Sequence, residues 1–233
     1  MSEHMALENL TVLDLTRVLA GPFCTMMLAD MGANVIKIEV PKGGDDTRSY
    51  PPFRAKNLNG ERESVYFANI NRNKKGITLN LKAPEGKEIF KELVKKADIV
   101  VENYRPGVMD KLGLGYDVLK EINPRIIYAA VSGFGCYGPY HLRPGYDILA
   151  QAMGGMMSIT GSKGGEPTRA GSALGDILGG LHVTIGILAA VNARTITGKG
   201  QRVDVSLMDS MIAATENTAL KYLETGNIPA PMG

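Results

Sequence analysis

The chain has 233 residues, of which 44% are hydrophobic and 21% charged, and its formal net charge is +2. These values describe a globular chain with enough apolar material for one large domain or two small ones. They give no general argument for binding nucleic acid or a membrane. The two cysteines, Cys24 and Cys136, are too few and too far apart for a disulfide framework, so we expect a cytoplasmic protein.

The first predicted elements form a strand–helix–strand unit. Residues 11–15 are typical of a short strand, residues 23–31 of a helix with Pro22 in its first turn, and residues 34–39 of a second strand. A unit of this length implies parallel strands joined by a right-handed crossover. The preceding residues 1–5 lack the apolar core of a signal peptide, and we interpret them as an expression scar.

Residues 40–75 interrupt this pattern, because they are rich in Pro, Gly, Asn, Arg and Lys and show little periodicity. We predict a long surface loop there. Strands and helices then alternate to the end of the chain. The strands are predicted at 76–81, 98–102, 125–131 and 201–206, and the helices at 84–96, within 107–122, and at 147–159, 176–195 and 208–223. This alternation predicts an α/β fold with a Rossmann-like, mostly parallel sheet flanked by helices.

Ligands of such sheets bind at the carboxyl ends of the strands. The predicted loops at that edge are 16–22, 40–48, 103–107 and 132–145. Residues 133–138 match the GxGxxG pattern, but a dinucleotide fingerprint must open a helix directly after the first strand. Pro139 and Pro144 delay the next helix, so we interpret this segment as a turn-rich active-site loop rather than a nicotinamide or flavin site.

Several candidate residues have an ordinary structural interpretation. Residues 177–191 are apolar but too short for a membrane span, so a buried core helix is expected. Cys24 is predicted to be a buried structural thiol and His182 a core residue. The isolated histidines His4, His141 and His182 lack metal-ligand spacing, so no metal is expected.

Asp176 is the most informative residue. It stands between glycines at the predicted start of the long apolar helix. The N–H groups of a helix start favour an ionised carboxylate, and the glycines leave room for a substrate to approach closely. A helix-capping acid is the structural alternative.

Seven motifs together resemble those of the family III CoA-transferases, the group of formyl-CoA transferase and carnitine CoA-transferase. They stand in the family's order and extend from about residue 7 to 225. These motifs are residues 12–22, 32–39, 71–74, 101–107, 145–147, 173–176 and 197–201.

The resemblance implies an acyl-CoA:carboxylate CoA-transferase, with coenzyme A entering as the acyl-CoA substrate and a carboxylic acid as acceptor. Asp176 would be the covalent nucleophile, and Tyr146 an active-site residue. Lys42 would replace a basic contact that many members have at the position of Val40. The other CoA contacts implied are Val18, Leu19, Ala20, Asn71, Arg72, Asn73, Lys74, Asn103, Tyr104 and Arg105.

Two alternatives stay open at this point. The α-methylacyl-CoA racemases also resemble the chain, but they use a histidine where this chain has Tyr146. Family members are longer and form interlinked homodimers. The resemblance therefore implies that residues 6–206 form the large, CoA-binding domain and 207–233 a helix and the start of a linker to a small domain that is absent. An inactive CoA-binding fragment that needs a partner chain is the second alternative.

Overall fold

The computed structural model describes residues 4–54, 60 and 62–232, so residues 1–3 of the predicted scar lie outside the described residues. In chain order, its strands are β1 (Thr11–Asp14), β2 (Asn34–Glu39), β3 (Phe53–Arg54), β4 (Glu63–Ser64), β5 (Lys75–Thr78), β6 (Ile99–Glu102), β7 (Ile127–Ser132) and β8 (Arg202–Ser206). Its α-helices are α1 (Ala20–Asp30), α2 (Val65–Ile70), α3 (Pro84–Val94), α4 (Val108–Lys111), α5 (Tyr116–Ile122), α6 (Asp147–Met153), α7 (Met156–Ile159), α8 (Leu174–Thr197), α9 (Leu207–Ala214) and α10 (Thr218–Thr225).

Six parallel strands form the central sheet in the order β5-β2-β1-β6-β7-β8. This architecture confirms the α/β, Rossmann-like fold predicted from the sequence. The chain builds the sheet outward in one direction from β1 and then in the other from β6. The carboxyl ends of β1 and β6 therefore flank a topological switch point, where sheets of this kind bind ligands.

Helices cover both faces of the sheet. Because side chains alternate along a strand, Val12 and Leu13 of β1 enter different cores. The Val12 core contains residues of α1, α8 and α9, whereas the Leu13 core contains residues of α3 and α5. Burial on both faces explains why β6 and β7 are almost continuously apolar.

Helix α8 carries Asp176 near its first turn and lies close to α1. A Cβ atom at Gly180 would lie 2.8 Å from the backbone oxygen of Ala20, so glycine permits this close approach. At the other end, Arg194 pairs with Asp98 just before β6. The length and apolar composition of α8 would also suit a membrane span, but here it packs against α1, β7 and β8.

The prediction of a continuous loop over 40–75 is wrong. The segment contains a 3₁₀ helix (Asp46–Ser49), the antiparallel pair β3–β4, helix α2 and the first residue of β5. Side-chain caps stabilise the starts of its two helices, since Asp45 accepts from the N–H of Thr47 and Ser64 from that of Phe67. Elements of two to six residues are too short to produce a periodic pattern.

Two predicted helices are each divided in the structure. The helix predicted over 147–159 breaks into α6 and α7 at Gly154 and Gly155, where Gly155 has a φ of 85°. The helix predicted over 208–223 breaks into α9 and α10, and Glu216 between them has a φ of 54°. A left-handed backbone conformation ends a helix. Of the two breaks, only the one at Gly154 and Gly155 could have been predicted from the residue types in the sequence.

Candidate active site

A cavity of about 380 Å³ opens at the switch point of the sheet. We call it the switch-point cavity. The loops that follow β1, β6 and β7 line this cavity, together with Asp176 of α8. Its lining residues are Arg17, Val18, Leu19, Ala20, Asn103, Tyr104, Arg105, Pro106, Val108, Val131, Ser132, Gly133, Arg143, Pro144, Gly145, Tyr146, Asp147, Asp176 and Leu207. Eight of the predicted site residues are therefore brought together.

Asp176 is the third residue of α8 and is half-buried at the cavity wall. Asp147, the first residue of α6, is its charged neighbour. One oxygen of Asp147, Oδ1, accepts the N–H of Gly175 at 2.8 Å, and the other, Oδ2, accepts the Gln151 amide at 2.8 Å. The Gly175 N–H, which precedes the predicted nucleophile at the start of α8, thus donates to the carboxylate of Asp147 and not to that of Asp176.

The pKa of Asp176 is raised to about 7, first by burial and second by the negative charge of Asp147. The expectation that the helix start would favour the ionised form is therefore wrong. Burial and the charge of Asp147 outweigh the effect of the helix start, and one N–H of that start, that of Gly175, is bonded to Asp147. Among the residues that the structure describes, no hydrogen bond to the Asp176 carboxylate offsets the effect of burial.

Tyr66 is a neighbour that the sequence analysis missed, because it lies in the segment predicted as a loop. It is half-buried on α2 and packs edge-on against Tyr50, with ring centroids 5.8 Å apart. Burial raises the pKa of Tyr66 to about 12, and the negative charge of Asp176 is the next cause. The phenol therefore stays protonated near the carboxylate.

The loop after β1 holds Val18 with a φ of 67°, which is an unfavourable conformation for a β-branched residue. Asn103 fixes this loop, since its Oδ1 accepts the Arg17 N–H at 2.9 Å and its Nδ2 donates to the Arg17 carbonyl at 2.7 Å. From the other side, Asp45 accepts the N–H of Val18 at 3.2 Å. Strained backbone held by several partners is typical of functional loops.

Gly133 and Gly145 cross at van der Waals contact. A Cβ atom on either glycine would lie 2.2 Å from the Cα atom of the other. This crossing explains the first glycine of the GxGxxG segment and brings Tyr146 and Asp147 beside the end of β7. The segment itself is a loop between β7 and α6, as the sequence analysis predicted for a turn-rich active-site loop.

Lys74 is placed inside the fold rather than in the cavity lining. Its ammonium group donates to Asp14 Oδ2 at 3.0 Å, to the Pro22 carbonyl at 3.0 Å and to Asn71 Oδ1 at 2.9 Å. The side chains of Lys74 and Asp14 are 1% and 0% exposed. Because an ammonium has three donors, none is left for a phosphate.

The other members of that predicted group do not line the cavity either. Asn71 is buried and donates to the Phe67 carbonyl. Arg72 and Asn73 both bond the carboxylate of Asp30, at the end of α1. Residues 71–74 thus lie between α2 and β5 and are hydrogen-bonded to residues of α2 and α1.

A second cavity, of about 570 Å³, adjoins the first at the carboxyl ends of β2 and β5. We call it the lysine cavity, because the predicted Lys42 and the unpredicted Lys82 both line it. Tyr104 and Val108 line both cavities, so they form the border between the two. Its remaining residues are Ile38, Glu39, Val40, Pro41, Leu79, Asn80, Leu81 and Leu112.

Other candidate residues have the structural roles expected of them or none that is visible. Cys24 is fully buried, and burial raises the pKa of its thiol to about 12. His182 is half-buried on α8, consistent with core packing. Within residues 4–54, 60 and 62–232, no three metal-binding side chains cluster.

Comparison with known proteins gives one consistent result. The sequence profile described as CoA-transferase family III matches residues 7–233. An acyl-CoA transferase of Fusarium pseudograminearum is 50% identical over 97% of this chain and 50% of its own length. The acetyl-CoA:oxalate CoA-transferase of Acetobacter aceti is 48% identical over 97% of this chain and 57% of its own.

A solved structure agrees with these relatives. The crystal structure of a CAIB/BAIF family protein from Brucella suis superposes with a TM-score of 0.94 and is 45% identical, covering 99% of this chain and 61% of that one. The chain therefore spans between about half and three fifths of the length of these three proteins.

Proposed function

Because the chain belongs to CoA-transferase family III, we propose that it provides the CoA site and the nucleophile of an acyl-CoA:carboxylate CoA-transferase. The observation that carries this proposal is Asp176, a half-buried carboxylate beside Asp147 in a cavity at the switch point. Burial and a like charge destabilise its ionised form, which makes the carboxylate more basic and a better nucleophile.

The proposed reaction exchanges CoA in four balanced steps. A carboxylate oxygen of Asp176 attacks the thioester carbonyl, and the C–S bond breaks to give a mixed anhydride and CoA thiolate. The thiolate then attacks the side-chain carbonyl carbon of Asp176, and the donor acid leaves as its carboxylate. The acceptor carboxylate attacks this aspartyl-CoA thioester, and the released thiolate attacks the new anhydride to give the product and free Asp176.

We propose that bound CoA occupies both cavities. The thioester end would lie in the switch-point cavity beside Asp176, and the nucleotide end in the lysine cavity. Lys42 and Lys82 offer positive charge for phosphates there, and Leu79 and Leu112 offer apolar surface for the base. Tyr104 lines both cavities and would contact the connecting part of the molecule.

The test is CoA exchange by the full-length gene product. Acetyl-CoA or succinyl-CoA is supplied with isotopically labelled carboxylic acids, including dicarboxylic acids such as oxalate, and labelled acyl-CoA is measured. Transfer is expected with at least one acceptor. Exchange of an α-proton of acyl-CoA with deuterated water, without CoA transfer, would instead favour the racemase alternative.

The pH dependence of the rate should report Asp176. Since the ionised carboxylate is the nucleophile and its pKa is about 7, kcat/KM is expected to rise with pH and to reach half of its plateau near pH 7. Asp147→Asn removes the neighbouring charge and so lowers the pKa of Asp176. The rising limb should then shift to lower pH. The control is Asp117→Asn, which removes an exposed carboxylate on α5 and should leave the rising limb unchanged. If the limb does not shift in Asp147→Asn, the assignment of this limb to Asp176 is contradicted.

Removing the two cavity lysines should weaken CoA binding without changing the chemical step. Lys42→Ala combined with Lys82→Ala is expected to raise the Kd for CoA about tenfold or more at low salt, with a smaller effect at high salt, because phosphate contacts are screened. Calorimetric titration measures the effect. Lys96→Ala, which removes an exposed lysine at the end of α3, is the control. Equal affinities in all three proteins would exclude the lysine cavity as the nucleotide site.

A further inference from the structure

Gln151 is fully buried, with 0% of its surface exposed, and all its hydrogen bonds reach the surroundings of Asp176. It lies one turn after Asp147 on α6, so both side chains are on the same helical face. The amide nitrogen donates to Asp147 Oδ2 at 2.8 Å and to the Ser172 carbonyl at 3.2 Å. The amide oxygen accepts the Ala170 N–H at 2.9 Å.

These bonds join two segments that are distant in the sequence. Ala170 and Ser172 belong to the stretch that leads directly into α8. The Gly175 N–H completes the connection by donating to the other oxygen of Asp147 at 2.8 Å. Gly175, the residue immediately before Asp176, is therefore hydrogen-bonded to one carboxylate oxygen of Asp147. Gln151 is hydrogen-bonded to the other oxygen.

We propose that Gln151 is a positioning residue for the nucleophile, which sets the placement of Asp176 relative to Asp147 by tying the start of α6 to the entry of α8. This inference rests on the proposed function, because it requires Asp176 to react. Gln151 does not line the switch-point cavity and would act only through Asp147 and the backbone of residues 170–175.

Only an amide fits all the partners of this side chain. The nitrogen end faces two acceptors, Asp147 and the Ser172 carbonyl, while the oxygen end faces the Ala170 N–H. A glutamate could accept from Ala170, but it would lose both donors and bring a second carboxyl group against Asp147. A methionine of similar volume would remove all three of these hydrogen bonds.

The effect expected is on kcat rather than on binding. A displacement of a reacting group by about 1 Å can reduce a rate by about 100-fold. We expect Gln151→Met and Gln151→Glu to lower kcat by roughly 10- to 100-fold in the full-length protein. The KM for acyl-CoA should change less than about threefold, because the residues proposed to bind CoA are not altered.

The control separates positioning from ordinary stability. Thr184→Val also removes a buried hydrogen bond on α8, from its hydroxyl to the Gly180 carbonyl at 2.7 Å, but lies two turns beyond Asp176. It should lower the melting temperature while leaving kcat near the wild-type value. The rate, the KM and the melting temperature are measured for all four proteins.

Three outcomes would overturn the inference. In the first, wild type transfers CoA and both Gln151 variants keep its kcat, with stability losses like that of Thr184→Val. In the second, neither Gln151 variant folds, which would assign a purely structural role. In the third, wild type transfers no CoA between any donor and acceptor tested; the proposed function then fails, and the positioning role fails with it.

Discussion

Replacing Asp176 with alanine should abolish CoA transfer while leaving acyl-CoA binding nearly unchanged. In the proposed mechanism Asp176 supplies the covalent step, and removing such a residue typically costs a factor on the order of 10⁴ or more in kcat. Affinity should be retained, because the proposed CoA contacts lie in the loops after β1, β2, β5 and β6 and are not altered. Exchange rates and calorimetric affinities of the full-length protein measure the two effects.

Asp209→Ala is the matched control for this variant. Asp209 is the third residue of α9, as Asp176 is of α8, but it does not line the switch-point cavity. If Asp176 were only a first-turn acid, both variants would lose a few tenths of a kcal/mol to about 1 kcal/mol of stability and retain activity. Exchange at the wild-type rate in Asp176→Ala contradicts the proposed mechanism.

Replacing Lys74 with methionine should destabilise the protein strongly instead of selectively weakening CoA binding. The change leaves Asp14 buried without its cationic partner, a loss that typically costs about 3–5 kcal/mol. For a domain of this size the melting temperature should fall by roughly 10 °C. Folded Lys74→Met is expected to bind CoA with an affinity within about threefold of wild type.

The direction in which the stability loss of Lys74→Met changes with pH identifies the buried Asp14 carboxylate as its cause. Burial alone would raise the pKa of Asp14, but Lys74 and Lys37, with hydrogen bonds from Thr16 and Thr25, hold it below its ordinary value. Its ionised form therefore stabilises the wild type above the unfolded pKa, and this contribution is lost as the pH falls through the folded pKa.

In Lys74→Met the uncompensated carboxylate takes up a proton more readily. The stability difference from wild type should thus be largest near neutral pH and shrink in acid, as measured by denaturant unfolding. A second change, Asp14→Asn, removes the buried charge and should restore part of the loss. A stable Lys74→Met protein that binds CoA much more weakly would instead place Lys74 in the nucleotide site.

The fold could be predicted from the sequence because its signals are local. Alternation of apolar strands and helices predicted the sheet. Asp176 was singled out by the family resemblance, since its position before a long apolar run also fits a helix-capping acid. The 3₁₀ helix, α2 and the β3–β4 pair could not be predicted, because elements this short show no periodicity. The two helices are instead marked by their caps, Asp45 and Ser64.

The environment of the site depends on contacts between distant segments, which a single sequence does not show. The sequence predicted Asp176 at a helix start, where N–H groups favour the charged form, but burial and the charge of Asp147, on another helix, outweigh them. Lys74 was assigned to the nucleotide pocket by resemblance, whereas Asp14, from the first strand, holds it in the core. Gln151 carried no signal, because a glutamine within a helical segment has no distinctive spacing.

The most direct test is mass spectrometry of the full-length gene product after incubation with acetyl-CoA or succinyl-CoA and trapping with hydroxylamine. We expect a covalent modification that maps to the peptide containing Asp176 and that is absent from Asp176→Ala. An unmodified mass with both donors, in a protein that still binds CoA and exchanges it between acids, would contradict Asp176 as the covalent nucleophile.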